Sequence, residues 1–216
     1  ISIPIKCIYN YIILYYIILY YMNDDFDAQG WGLIRGIVNE NEINNILSLI
    51  QSYIDNNEKK MEIWDMNKTE NGKLNSIHCL HMFDDTILEF FKTKKIFFET
   101  ARQLLQSEVE IIAIEAFLKP AGYGKAVVIH QDNYLWCLEK GDALTIWIAL
   151  DDIDEVNGGL KYYNGSHKCG LLEHEPSYKI GTSQTIKKEE YDKYKNCDII
   201  LNNLKAGDAQ FHHSLT

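Results

Sequence analysis

The chain is 216 residues long and 46% hydrophobic, which suits one domain with a substantial core and is short for two. Its formal charge of -10, from 21 basic and 31 acidic residues, argues against non-specific nucleic-acid binding but leaves room for a local basic pocket. The five cysteines (Cys7, Cys79, Cys137, Cys169 and Cys197) are odd in number and never form a C-x-x-C pair, so neither a disulfide scaffold nor a zinc-thiolate site is expected, and a reducing, cytoplasmic compartment is.

The first 21 residues, "ISIPIKCIYNYIILYYIILYY", differ from the rest, and three readings are open. The stretch is a membrane anchor, an ordinary buried segment, or text that precedes a true start at Met22. The uncharged run from Cys7 to Tyr21 is short for a span and contains Asn10 and six tyrosines. It lacks the small-residue cleavage site of a signal peptide. A membrane partner is expected only if this stretch is an anchor. Residues 22–216 are expected to form a single domain.

After the turn at Gly30, the apolar run Trp31–Val38 predicts a strand. Ile43, Ile46, Leu47, Ile50 and Ile54 follow at helical spacing, with Asn39 or Asn41 placed to cap the helix. Residues 59–76 are polar, without a period, and read as a loop. Leu88, Phe91, Ile96 and Phe97, then Ala101, Leu104 and Leu105, predict one or two helices. "VEIIAIEAFLKP" reads as a strand ended by Pro120, and "AGYGK" as a turn. "AVVIHQDNYLW" and "GDALTIWIALDDI" read as two more strands. "NGGLKYYNGSHK" reads as turn, short strand and turn. Residues 173–203 are polar and irregular. "KAGDAQFHHSL" reads as a turn feeding a last strand. Without regular βα alternation a parallel sheet is excluded as the organising element. The pattern predicts a mainly β domain with N-terminal helices, its second half a small antiparallel barrel or jelly roll.

His130 and Asp132 stand two apart in the predicted strand, so both would face the same side. A lone buried carboxylate is costly unless paired or metal-bound. One imidazole and one carboxylate are two parts of a 2-His-1-carboxylate site for non-haem iron. The alternatives are a surface His–Asp pair, or a histidine whose tautomer the aspartate fixes.

"HQDNYLW" at 130–136, "LTIWIALDDIDEVNGGLKYYNGSHKCGLLEH" at 144–174 and "KAGDAQFHHSLT" at 205–216 occur in that order. With these blocks the chain resembles the phytanoyl-CoA dioxygenase family of Fe(II)- and 2-oxoglutarate-dependent oxygenases, from about Phe26 to the last residue. The resemblance implies a double-stranded β-helix, the cupin-like jelly roll, lacking its C-terminal strands. It implies Fe(II), 2-oxoglutarate and O2 as cofactor and co-substrates, and hydroxylation of a C–H bond with succinate and CO2 as co-products. His130 and Asp132 match the first two iron ligands, and Trp147 a residue lining the 2-oxoglutarate site. Asn164 stands where the family's "PGSHK" turn has proline. By the same match the third ligand, a histidine, and an arginine for the 2-oxoglutarate carboxylate fall beyond Thr216. This stretch of chain is therefore expected to be inactive by itself. Spacing alone would offer His212 or His213 as the third ligand, only one of which can face inward.

Gln131 is expected to point away from His130 and to be structural. Asn133 and Tyr134 either support the ligands or line the cavity, with simple aromatic packing the alternative for Tyr134 and Trp136. His78, His81, His167 and His174 read as loop or surface histidines, and Lys125 as solvated. The expected partner is a small molecule, not nucleic acid. The rival reading is a non-catalytic jelly-roll protein that binds a small molecule. No HExxH, GxSxG, P-loop or dinucleotide motif is present.

Overall fold

Ile43, Ile46, Ile50 and Tyr53 recur every three or four residues and form the buried face of helix α1 (Glu40–Asn57) in the computed structural model, which describes residues 25–57, 66–68, 72, 74–122, 124, 126–140, 142–179 and 182–216. Asn39 caps this helix. Its Oδ1 accepts from the Glu42 amide at 3.0 Å, while its own amide donates to Glu42 Oε2 at 2.9 Å, the reciprocal pair of a capping box. Short helix α2 (Leu80–Phe83) leads to α3 (Asp85–Lys92), where Asp84 accepts from the Thr86 amide. Helix α4 (Lys95–Leu105) buries Phe97, Thr100, Ala101 and Leu104, again one helical stripe. Residues 84–106 thus form two helices.

The strands make four small antiparallel sheets. The first joins β1 (Trp31–Ile34) and β5 (Leu144–Ile148) to either side of β10 (Ala209–His213). The second joins β2 (Met66–Lys68), β3 (Leu74–Ile77) and β4 (Ala116–Phe117). Strand β6 (Lys161–Tyr163) pairs with β9 (Ile199–Leu201), and β7 (His174–Lys179) with β8 (Thr182–Ile186). The absence of parallel pairing among these strands agrees with the missing βα alternation.

The first sheet positions the site. Its register sets Phe211 opposite Gly32 and Ile146, His212 opposite Trp31 and Thr145, and Gln210 opposite Leu33 and Trp147. Side chains alternate across the sheet, so Phe211 and Ile146 take one face, and His212, Gln210, Thr145 and Trp147 the other. On the first face Phe26, Leu104 and Phe211 form a buried cluster with Ile34, Leu144 and Ile146 against it. A Cβ on Gly32 would sit 2.2 Å from the Phe211 ring, so this strand position admits only glycine without repacking. The larger core unites α1, β3, α3 and α4 through Val38, Ile43, Ile50, Ile77, Ile87 and Phe97.

The mainly β fold expected, a double-stranded β-helix jelly roll with N-terminal helices and lacking its C-terminal strands, is not what the described residues form. Helix exceeds strand among them, the fold is mixed α/β, and the ten strands close no barrel. The apolar runs that suggested long strands explain the difference. In residues 108–120 only Ala116 and Phe117 join a ladder, and residues 126–131 join none. An apolar extended run becomes a strand only where a neighbour pairs its amides and carbonyls, and an apolar pattern does not report that neighbour. Two regions read as irregular are in fact ordered. Leu74–Ile77 is a largely buried strand, and His174–Lys179 and Thr182–Ile186 are antiparallel partners. The stretch Ile1–Tyr21, Met22 and Lys125 lie outside the described residues.

Candidate functional site

Residues 126–131, which bend at Ile129 and are extended at Gln131, lead into a five-residue helix, α5 (Asp132–Trp136). His130 and Asp132 are therefore not neighbours on one strand face, as their spacing predicted. They meet at a bend between extended chain and helix. His130 Nδ1 lies 2.8 Å from the Val128 carbonyl. A carbonyl can only accept, so Nδ1 carries a proton, and Nε2 is the ring nitrogen turned outward. That Nε2 lies 3.4 Å from Asp132 Oδ1.

The other carboxylate oxygen is held from the sheet. Asp132 Oδ2 accepts from the Thr145 hydroxyl at 2.5 Å and lies 3.0 Å from His212 Nε2. His212 Nδ1 is in turn 3.1 Å from the Tyr162 hydroxyl, and the Tyr162 ring stacks on Trp31 with centroids 5.7 Å apart. Thus β1, β5, β6 and β10 all converge on one carboxylate carried by α5.

Burial by itself would raise the Asp132 pKa, but hydrogen bonds from His130 and His212, with that from Thr145, carry it well below the usual carboxylate range. Burial depresses His130, yet its bonds to Asp132 and the Val128 carbonyl outweigh this and leave its pKa raised. Burial and the Asp132 charge push the Tyr162 phenol up, so it stays a hydroxyl. The pair therefore holds a negative carboxylate against an imidazole nitrogen whose partner nitrogen is already committed. An imidazole nitrogen facing a carboxylate oxygen at this range takes a cation between them, either a proton or a metal ion. His130 and Asp132 thus fit two donor positions of a metal. Among the described residues no group of three or more His, Cys, Asp or Glu side chains is disposed to hold one.

Trp147 lies on the same sheet face as Thr145 and His212, directly across from Gln210, and is partly buried. His212 is the member of the 212–213 pair that reaches Asp132. His213 faces the opposite side, its ring 6.2 Å from Phe26 and 5.7 Å from His167. Gln131 is structural in the way expected. Its Nε2 donates to the Gly170 and Leu215 carbonyls, its Oε1 accepts from the Leu172 amide, and its own amide donates to His174 Nε2. His174 is consequently a buried core histidine with both ring nitrogens engaged, not a surface one. Tyr134 stacks on it with centroids 4.2 Å apart, which is packing. Asn133 is buried and bonds Leu138 with both ends of its amide. His78 faces Glu115, and His81 accepts from the Ile114 amide, both away from this site. Thr145 was overlooked in the sequence. Its position two before Trp147 on one strand was the available signal.

A model of the phytanoyl-CoA dioxygenase (PhyH) family matches residues 26–216. The chain belongs to that family. The PhyH family comprises non-haem Fe(II)- and 2-oxoglutarate-dependent oxygenases, and the chain shares its relation to the double-stranded β-helix superfamily. Among curated relatives, a phytanoyl-CoA dioxygenase of Arabidopsis thaliana is 30% identical over 130 residues, covering 60% of this chain and 44% of that protein. An L-proline trans-4-hydroxylase of Streptomyces griseoviridis is 32% identical over 102 residues, covering 45% and 38%. The matched stretches span under half the length of these curated relatives. Among solved structures, EctD from S. alaskensis with 2-oxoglutarate and 5-hydroxyectoine superposes with a TM-score of 0.72 at 19% identity, covering 90% of this chain and 67% of that one. The epimerase SnoN, in complex with Fe3+ and alpha ketoglutarate, gives a TM-score of 0.72 at 19% identity, covering 92% and 75%. These likenesses show a shared fold.

Proposed function

We propose that the protein is an Fe(II)- and 2-oxoglutarate-dependent dioxygenase that hydroxylates a C–H bond of a small organic or acyl substrate and releases succinate and CO2. The observation that carries this reading is His130 Nε2 turned toward Asp132 Oδ1 at 3.4 Å, with Nδ1 committed to the Val128 carbonyl. His130 and Asp132 would hold the metal. Fe(II) bound there supplies the redox chemistry that couples O2 to oxidative decarboxylation of 2-oxoglutarate.

The chain's own work is positioning. The Val128 carbonyl keeps the His130 proton on Nδ1 and Nε2 available as a donor. Thr145 and His212 hold Asp132 Oδ2, which leaves Oδ1 on the His130 side. Gln131 ties the backbone between the two ligands to residues 170, 172 and 215. Trp147 would line the co-substrate site on the same sheet face. Residues 22–216 act as one domain in this reading. A cytoplasmic setting agrees with the free thiols of Cys137, Cys169 and Cys197. No helix among the described residues is long and apolar enough to cross a membrane.

The test is an anaerobic titration of the purified protein with Fe(II) and 2-oxoglutarate, followed by its visible charge-transfer absorption. The reading requires a band that His130→Ala and Asp132→Ala both abolish. A wild type that binds Fe(II) and 2-oxoglutarate with no such dependence on these two residues overturns the site. A second reading, a non-catalytic small-molecule binder, is favoured by the lack of a three-donor group among the described residues. It is the outcome if no metal binds at all.

A further inference from the structure

The sheet face that bears the site carries a buried polar side chain that nothing among the described residues satisfies. Gln210 is fully buried, and neither its Oε1 nor its Nε2 has a hydrogen-bond partner. Buried amides are almost always bonded, so an unbonded one marks a missing partner. The contrast with Gln131 is direct, because that equally buried amide bonds two carbonyls and an amide.

The place of Gln210 indicates what the partner is. It sits two residues before His212 on β10, on the same sheet face and directly across from Trp147 and Leu33. Two strand residues advance about 7 Å, so its amide lies roughly one small-molecule length from the carboxylate that His212 holds. The paired positions on this face of the sheet are Trp31, Leu33, Thr145, Trp147, Gln210 and His212, and none is Lys or Arg. Among these paired positions, the donors at the end away from Asp132 are the Gln210 amide and the Trp147 indole. Leu33 and Trp147, its two cross-strand neighbours, are partly exposed.

We propose that Gln210 is a binding residue for a five-carbon dicarboxylate co-substrate. Its Nε2 donates to the carboxylate remote from His130 and Asp132, and its Oε1 takes a hydrogen bond from a water carried in with the ligand. This rests on the oxygenase reading and adds a residue to it. In the free protein the unpaired amide is a stability cost held in reserve for binding.

The test uses the full-length protein with Gln210→Leu, which keeps the volume and removes the amide, and Gln210→Glu, which keeps the shape and sets a negative charge against a carboxylate. Three quantities are measured on each: the melting temperature without ligand, Co(II) affinity, and 2-oxoglutarate affinity in the presence of Co(II) under anaerobic conditions. The expected result for Gln210→Leu is a melting temperature unchanged or raised, unchanged Co(II) affinity, and 2-oxoglutarate affinity weakened roughly ten-fold or more, the scale of one buried hydrogen bond to a charged group. Gln210→Glu should weaken 2-oxoglutarate further. Unchanged 2-oxoglutarate affinity in Gln210→Leu overturns the assignment, whatever the melting temperature. So does a lowered melting temperature with parallel loss of Co(II) and 2-oxoglutarate binding, which would make Gln210 a structural amide bonded to internal water. Wild-type protein that binds no 2-oxoglutarate with Co(II) present overturns the oxygenase reading itself, and this assignment with it. The two failures differ in whether the wild type binds.

Discussion

His212 Nε2 lies 3.0 Å from Asp132 Oδ2 across 80 residues of chain. The contact ties the last strand to the short helix that opens at Asp132, and it explains why a single carboxylate can be kept charged in a largely buried place. Substituting Asp132→Asn preserves the shape and removes the charge. The metal-dependent rise in melting temperature should disappear, while the metal-free protein still unfolds cooperatively. Scanning calorimetry with and without Co(II) reads this directly, and a retained metal shift would show that Asp132 is not a ligand.

Thr145 donates to the Asp132 oxygen that does not face His130. Groups that orient a ligand without touching the metal typically contribute 10- to 100-fold in affinity. Thr145→Val should therefore weaken Co(II) binding by roughly that factor. Thr145→Ser, which keeps the hydroxyl, should restore most of it. Isothermal titration separates the two.

Gln131 is completely buried and its amide is fully used. Gln131→Leu strands the Leu172 amide and the Gly170 and Leu215 carbonyls, at about 1–3 kcal/mol for a buried group left unpaired. A loss of about 3 kcal/mol in urea unfolding is expected. The opposite sign for Gln131→Leu and Gln210→Leu is the sharpest comparison, since both remove a buried amide from the same region.

Asp208 sits at the turn into β10. It accepts from the Gly36 and Lys205 amides, each at 2.8 Å, and from Arg35. Burial opposes its charge, but the Lys205 amide, Arg35 and the Gly36 amide together hold its pKa below the ordinary carboxylate value. A depressed folded-state pKa gives stability that is present above the unfolded value, near pH 4, and is lost as pH falls through the lower folded value. Stability should thus decline as the pH drops below about 4, and Asp208→Ala should flatten that decline. At neutral pH the same variant should lose about 2 kcal/mol, chiefly from the two stranded amides, because Arg35 is more than half exposed and its ion pair is screened. Urea midpoints across pH 3–7 test both statements.

Gly32 meets Phe211 across the first sheet with no room for a Cβ. Gly32→Ala should cost about 1–3 kcal/mol through overpacking, and the pair Gly32→Ala with Phe211→Leu should recover part of it. A thermal-melt double-mutant cycle measures the coupling.

Several features were legible in the residues themselves because their causes are local. The Asn39 cap, the stripe of Ile43, Ile46 and Ile50, and the two helices of 84–106 follow from spacing over a few turns. So does the final strand behind the Gly207–Asp208 turn. The separate blocks around His130, Trp147 and Phe211 sufficed for the family. The sequence could not decide pairing. Extended runs at 108–118 and 126–131 have strand-like composition but few partners, and partners come from elsewhere in the chain. The same holds at the site. His130 and Asp132 were paired for the wrong geometric reason, a shared strand face, when a bend into a helix brings them together. Choosing His212 over His213 required the register of β10 against β1 and β5, since one residue of slip exchanges the faces. Only the fold could set Gln131 and Gln210 apart, one amide surrounded by carbonyls and an amide, the other by none. A side chain's identity is written in the chain, but whether its hydrogen bonds are met depends on residues 39 to 84 positions away in the case of Gln131, which only tertiary packing brings near.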